Sequence, residues 1–183
     1  MREKPSLRSR ILEWVLWRLP IKSRFVNTEG LRERVIKSRP GNPRPPRSFY
    51  RRYRVDEGMR EGRKIFTHSP RKGRPRLHIL YLHGGAHVYE MMGLQWSMIR
   101  RLLDRSDAAV TVPLYPLAPE HTCEQILQFV MGVYDALVKE AGETPIVILG
   151  DSSGGGLSLA LAQAVARCRE AATYETCTSF SLA

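Results

Sequence analysis

The sequence has few cysteines and no long apolar run, and both absences exclude classes of protein. Its 183 residues include only three cysteines, Cys123, Cys168 and Cys177, and no C-x-x-C pair. This number and spacing argue against a disulfide framework and a zinc site, and they favour a reducing compartment. No run approaches the roughly 20 apolar residues that a membrane-spanning helix needs. We therefore predict a cytoplasmic protein, with peripheral membrane association as the alternative.

Acidic residues are scarce in the first part of the chain. Residues 1–76 contain 23 Lys and Arg but only 7 Asp and Glu, whereas the remainder has 6 against 11, and the net charge is +11. No zinc-finger spacing, basic zipper or aromatic-interleaved RNA motif accompanies the positive charge, so we expect no nucleic-acid partner. A basic segment therefore precedes a mildly acidic body.

The basic segment contains a possible helix followed by a linker. Residues 6–19, with Trp14 and Trp17, are expected to form a short amphipathic helix. This helix either packs on the body as a cap, which we favour, or makes a peripheral membrane contact. Residues 39–48 hold four prolines and a glycine, so they predict a linker. We assign residues 1–48 to a basic cap and linker, and residues 49–183 to an α/β domain.

Apolar patterning in the body alternates between buried strands and amphipathic helices. Helical spacing of apolar residues occurs within 98–103 and 126–137, and an Ala- and Leu-rich helix is predicted at 154–169. Strands are predicted at 49–55, 63–68, 77–82, 108–114 and 145–149. This order is typical of an α/β fold, with a mostly parallel sheet flanked by helices.

A G-x-S-x-G pattern follows the last predicted strand. Residues 150–154, GDSSG, lie directly between the strand PIVIL and a helix. A tight strand-to-helix turn of this kind exposes the serine hydroxyl, so the pattern predicts Ser152 as a nucleophile. The alternatives are a glycine-rich turn with a bystander serine or a phosphate-binding loop. The second is disfavoured because no Lys follows the glycines as in G-x-x-x-x-G-K-[ST].

A second short motif, HGGA at residues 83–86, follows the strand LHILYL. Acyl transfer needs N–H donors where the carbonyl oxygen becomes an oxyanion. We expect Gly84 and Gly85, together with the N–H of Ser153, to form this oxyanion hole. His87, just past the motif, is expected to line the substrate cleft.

Three ordered motifs, HGGA, YPLAPE at residues 115–120 and GDSSGG at residues 150–155, make the chain similar to the hormone-sensitive-lipase-like family of α/β-hydrolases. The resemblance runs from about Tyr50 to Arg169. It implies hydrolysis of small-molecule carboxylic esters through an acyl intermediate on Ser152. It implies no metal and no organic cofactor, since nucleophile, oxyanion hole and base suffice.

The sequence after Ser152 contains no candidate for the rest of a catalytic triad. All five histidines precede Ser152, and the 31 residues that follow include no Asp and no His. In this fold the acid and the base come after the nucleophile in the chain. We therefore expect a C-terminally truncated member of the family, holding only the N-terminal part of its domain. The alternatives are a catalytically dead binding module and a basic interaction protein acting through residues 1–76.

Overall fold

The computed structural model describes residues 6, 7, 10, 11, 14, 18, 30–39 and 43–171. The chain divides into two compact units, Met1–Ser38 and Arg39–Ala183. In the first unit, a helix α1 spans Leu31–Ser38. The described residues within the predicted helix 6–19 are helical from Leu7 to Arg18, and Trp17 lies outside the described residues.

The second unit is a five-stranded sheet with helices on both faces. Its strands lie in the order β1-β2-β4-β3-β5. The elements along the chain are α2 (Arg47–Arg52), β1 (Arg54–Arg60), β2 (Arg63–Ser69), β3 (Leu77–Leu82), α3 (Gly93–Arg105), β4 (Ala108–Pro113), α4 (Cys123–Ala141), β5 (Ile146–Gly150) and α5 (Ser153–Ala171).

The first predicted strand was wrong over most of its length, because residues 47–52 are helical. Phe49 and Tyr53 are four residues apart, both are buried, and their ring centroids lie 5.6 Å apart. This is a helical repeat, and a strand would place the two rings differently because its side chains repeat every two residues. The predicted domain boundary after residue 48 falls inside α2.

The sheet is evenly mixed, where the sequence predicted a mostly parallel one. β1 pairs with β2 and β2 with β4 in antiparallel fashion. β3 is parallel to both β4 and β5. A two-residue turn between Arg60 and Arg63 joins β1 to β2, so this pair is a hairpin. The architecture is a partial α/β-hydrolase fold.

β3 supplies side chains to two separate cores. Ile79 and Tyr81 pack in the core with α3, while Leu80 and Leu82 pack in the core with α4 and α5. Successive strand residues point to opposite faces, so a strand covered on both sides must be apolar throughout. This explains why five of the six residues in LHILYL are apolar, and the sixth, His78, is also buried. Among the helices in the described part of the chain, none has the length and apolar character to cross a membrane.

Candidate active site

The two glycine-containing motifs meet because they follow adjacent parallel strands. β3 and β5 pair in a register that places Leu82 opposite Gly150. HGGA begins one residue after Leu82, and Ser152 comes two residues after Gly150. Since parallel strands end at the same edge of a sheet, both motifs emerge side by side at the carboxyl edge, where open α/β sheets bind ligands.

The turn at Ser152 is as tight as the G-x-S-x-G pattern predicts. Ser152 is exposed and has a φ of 50°, in the left-handed region that non-glycine residues rarely adopt. An ideal Cβ on Gly150 would collide with Gly154 O and lie 2.6 Å from Ser158 Oγ. A Cβ on Gly154 would collide with Leu82 O and lie 2.6 Å from the His83 carbonyl carbon and oxygen. Both positions require glycine because other backbone atoms lie too close to leave room for a Cβ.

The HGGA loop, defined here as residues 83–87, contacts this turn directly. An ideal Cβ on Gly84 would lie 3.0 Å from Ser152 Cβ and 2.7 Å from Asp151 O. The loop backbone is unusual, since Gly85, Ala86 and His87 have φ values of 132°, 54° and 58°. The two non-glycine residues in this conformation each cost on the order of 1–2 kcal/mol, which the surrounding contacts must offset.

The Gly84 N–H, which the sequence predicted as an oxyanion donor, donates a hydrogen bond of 2.8 Å to the Asp151 carboxylate. The N–H groups of Gly85, Ala86 and Ser153 have no acceptor among residues 43–171. The unpaired N–H groups next to Ser152 therefore include two of the three predicted donors, those of Gly85 and Ser153, and also that of Ala86.

Asp151 is the most heavily hydrogen-bonded side chain of the site. Besides the Gly84 N–H, its carboxylate accepts from Tyr81 Oη at 2.5 Å and from Gln95 Nε2 at 3.0 Å. Burial acts to raise the pKa of Asp151, but the hydrogen bonds from Tyr81, Gln95 and Gly84 outweigh it and lower the pKa. The ionised Asp151 carboxylate therefore links the turn that carries Ser152 to β3 and α3 through hydrogen bonds.

The two histidines of the loop occupy different surroundings. His83 is fully buried, its ring stacks 4.3 Å from that of Tyr115, and its Nδ1 lies 2.9 Å from Gly84 O. The Tyr115 hydroxyl donates to His83 O. His87 is half-buried, and its backbone N–H donates to Ser153 Oγ at 3.3 Å. Burial lowers the pKa of both imidazoles, which favours their neutral forms.

Gln95 was missed by sequence reasoning, although it links three parts of the site. Its Oε1 accepts from Met92 N at the start of α3, while Nε2 donates to Gly84 O and to Asp151. A glutamine at the third position of a helix commonly reaches back to the residue before the helix. That signal identifies the cap, but the contact with Asp151 depends on the tertiary fold.

A cavity of about 430 Å³ lies elsewhere, between β1 and α4, and Met59 and Leu137 contribute to its lining. None of the motif residues lines it. Within the described residues, no group of three or more His, Cys, Asp and Glu side chains is placed to hold a metal ion.

Known proteins match the part of the chain that contains the site. A family model described as alpha/beta hydrolase fold matches residues 79–177, more than half of the chain. An esterase from Acinetobacter venetianus is 36% identical over 85 residues, which are 45% of this chain and 28% of the relative. The carboxylesterase/phospholipase LipF of Mycobacterium tuberculosis is 37% identical over 87 residues, which are 46% of this chain and 23% of the relative. The chain thus matches less than a third of the length of these relatives.

Solved structures are similar over a larger part of the chain. The crystal structure of EstE5 soaked with p-nitrophenyl butyrate has 26% identity and a TM-score of 0.58, covering 79% of this chain and 47% of that one. EstE7, an HSL homologue from a metagenome library, has 24% identity and a TM-score of 0.58, covering 78% and 48%; at that identity it shows the fold alone. The family match over residues 79–177, together with the esterase and carboxylesterase relatives, shows that the chain belongs to the α/β-hydrolase fold family, and it confirms the resemblance predicted from the three motifs.

Proposed function

We propose that this chain carries the nucleophile part of a carboxylic ester hydrolase. Ser152 Oγ would attack the ester carbonyl and form the acyl–oxygen bond of an acyl-serine, while the ester C–O bond breaks and the serine proton leaves with the alcohol. Water would then cleave the acyl-serine, releasing the carboxylic acid and returning a proton to Ser152 Oγ. The observation that best supports this role is the position of Ser152: exposed, at a φ of 50°, between β5 and α5 and against the HGGA loop. The names of the relatives, an esterase and a carboxylesterase/phospholipase, also support the proposal.

The oxyanion donors in this proposal are the N–H groups of Gly85, Ala86 and Ser153. All three N–H groups lack acceptors within residues 43–171, and Gly84 is excluded by its bond to Asp151. A donor of this kind typically contributes on the order of 10²–10³ in rate. His87 would line the substrate cleft, because it follows these donors directly and its ring is half-buried.

For the 183-residue polypeptide, we expect acylation without rapid turnover. No His or Asp follows Ser152 in this sequence, and His68, His78 and His83 are buried. His87 has no carboxylate partner among the described residues to orient its ring. Serine proteases that lack a triad member retain only about 10³–10⁴-fold catalysis over water.

The test is incubation of the purified chain with p-nitrophenyl butyrate, followed by peptide mapping of the butyryl group. We expect the label on Ser152, its loss in Ser152→Ala, and no change in the control Ser97→Ala, which removes an exposed hydroxyl on α3. Labelling of Ser153 in place of Ser152, or no labelling, would contradict the proposal. Fast turnover lost in both Ser152→Ala and His87→Ala would instead identify His87 as a substitute base.

The first unit supports a second proposal, a contact with an anionic membrane surface. Leu7, Ile11 and Trp14 recur at helical spacing, and their side chains are 73%, 54% and 59% exposed. The Arg18 guanidinium lies 4.9 Å from the centre of the Trp14 ring. An apolar stripe beside basic residues is typical of helices that lie in a membrane interface.

Binding to vesicles tests this contact independently of any esterase activity. We expect the chain to co-sediment with phosphatidylcholine vesicles that contain phosphatidylserine, and less with phosphatidylcholine alone. Ile11→Asp should weaken binding, whereas the matched change Ile36→Asp, at a 40% exposed position on α1, should not. If the two variants weakened binding equally, or if binding did not depend on phosphatidylserine, the stripe of Leu7, Ile11 and Trp14 would be excluded as the contact.

A further inference from the structure

The two side chains that flank Ser152 are each bonded to a different end of the HGGA loop. On one side, the Asp151 carboxylate accepts from Gly84 N at 2.8 Å. On the other, Ser153 Oγ accepts from His87 N at 3.3 Å. The nucleophile therefore lies between two attachments that join its own turn to the loop opposite.

The rest of the protein holds the carbonyl side of the same loop. Tyr115 Oη donates to His83 O, Gln95 Nε2 to Gly84 O at 3.2 Å, and Ala118 N to His87 O at 2.8 Å. The N–H groups of Gly84 and His87 are bound by Asp151 and Ser153. The N–H groups of Gly85 and Ala86, between the two attachments, keep no acceptor among residues 43–171.

The attachment at Asp151 is the more rigid of the two. Its carboxylate is itself fixed by Tyr81 from β3 and Gln95 from α3. A hydrogen bond to an ionised acceptor is shorter and stronger than one between neutral groups. Ser153 supplies a neutral hydroxyl, and an alanine at this position could not make this second attachment.

We infer that Asp151 and Ser153 are positioning residues for the HGGA loop, holding Gly84 and His87 so that the Gly85 and Ala86 N–H groups stay directed at the carbonyl attacked by Ser152. This inference rests on the proposed function for its purpose, but the attachments themselves are measurable without any reaction. A general loss of stability would affect the Gly84 and His87 amides alike. This inference instead predicts that Asp151 variants affect the Gly84 amide and that Ser153 variants affect the His87 amide.

Backbone amide NMR of the full 183-residue chain tests each attachment. In Ser153→Ala, we expect exchange of the His87 amide to accelerate about tenfold, as loss of one hydrogen bond predicts, with the Gly84 amide unchanged. In Asp151→Ala, the Gly84 amide proton should shift upfield and exchange faster. Ser153→Thr and Asp151→Asn, which retain an oxygen acceptor, should restore most of the protection.

Matched controls are Ser97→Ala on α3 and Asp135→Ala on α4, both at exposed positions outside the loop. Native amide shifts in β4 establish that each variant is folded. The inference is overturned if the Gly84 and His87 amides respond no more to the flanking variants than to these controls. A variant that fails to fold is replaced by its conservative counterpart, in which most of the protection should remain, and a complete loss of protection in that counterpart would count against the attachment.

The same variants separate this inference from the proposed function. We expect Asp151→Ala and Ser153→Ala to lower the rate of Ser152 butyrylation by p-nitrophenyl butyrate about tenfold relative to their controls. If the amides respond as expected but the unmodified chain is never butyrylated, the ester function fails and the attachments stand. If the chain is butyrylated and the flanking variants change neither amides nor rate, the attachments fail and the ester function stands.

Discussion

Gly154→Ala is the substitution for which the structure predicts the clearest cost. A methyl group at this position would collide with Leu82 O and lie 2.6 Å from two backbone atoms of His83. Backbone atoms in a sheet cannot rotate away as a flexible side chain can. Overpacking of this kind lowers the free energy of unfolding by up to about 3 kcal/mol. Replacing a helical glycine with alanine raises it by at most about 1 kcal/mol. We therefore expect a net loss of about 2 kcal/mol.

The matched control is Gly156→Ala, two residues along the same helix. Apart from its chain neighbours and the nearby backbone of its own helix, no atom lies within 4 Å of the Cβ that this change would add. The only expected effect is the helix preference for alanine, a gain of about 0.5–1 kcal/mol. The measurement is urea unfolding of both variants beside the unmodified chain. At about 2–4 °C per kcal/mol, Gly154→Ala should also lower the melting temperature by about 4–8 °C. If both variants were stabilised, the close approach of α5 to the end of β3 would be refuted.

Three further predictions concern pH, charge and capping. Burial lowers the pKa of His68 to about 4, so protonation favours the unfolded state and stability falls as pH drops from about 6.5 towards 4. In urea unfolding at pH 7 and pH 4.5, His68→Phe should remove about 2.5 kcal/mol of that loss, and the exposed, non-titrating control Ser97→Ala none. Gln95→Glu places a second carboxylate against Asp151, and should cost about 1–3 kcal/mol at pH 7 and less at pH 5, where the new group is protonated. Thr122→Ala removes the side-chain cap of α4, a 3.3 Å bond from Gln125 N, and should cost about 1 kcal/mol by the same assay, against no change in Ser97→Ala.

Much of the sheet could be predicted because burial on both faces leaves a simple pattern. The run from Leu77 to Leu82 predicts β3 within its observed bounds, and GDSSG predicts the turn at Ser152. Both are local features, set by the alternation of strand side chains and by the narrow space at a tight turn. The family resemblance likewise rested on local motifs.

The remaining features depend on contacts between distant residues. The helix at Arg47–Arg52 is stabilised by burial of Phe49 against Trp96 and His68, which no local pattern reveals. The bond from Gly84 N to Asp151 joins residues 67 positions apart and changes which N–H groups are free. For the same reason, the sequence alone does not show that the Ser153 hydroxyl reaches His87 N. The roles of the site residues stay predictions until the experiments above are done.

The register that pairs Leu82 with Gly150 also determines which changes in chain length the site tolerates. One residue inserted into β3 or β5 would move one motif past the other by about 3.3 Å, more than the length of a hydrogen bond. It would also exchange the two faces of that strand, so that side chains packed in one core would point into the other. Insertions and deletions compatible with the site are therefore confined to segments outside this strand pair, such as the turn between β2 and β3 at residues 70–76.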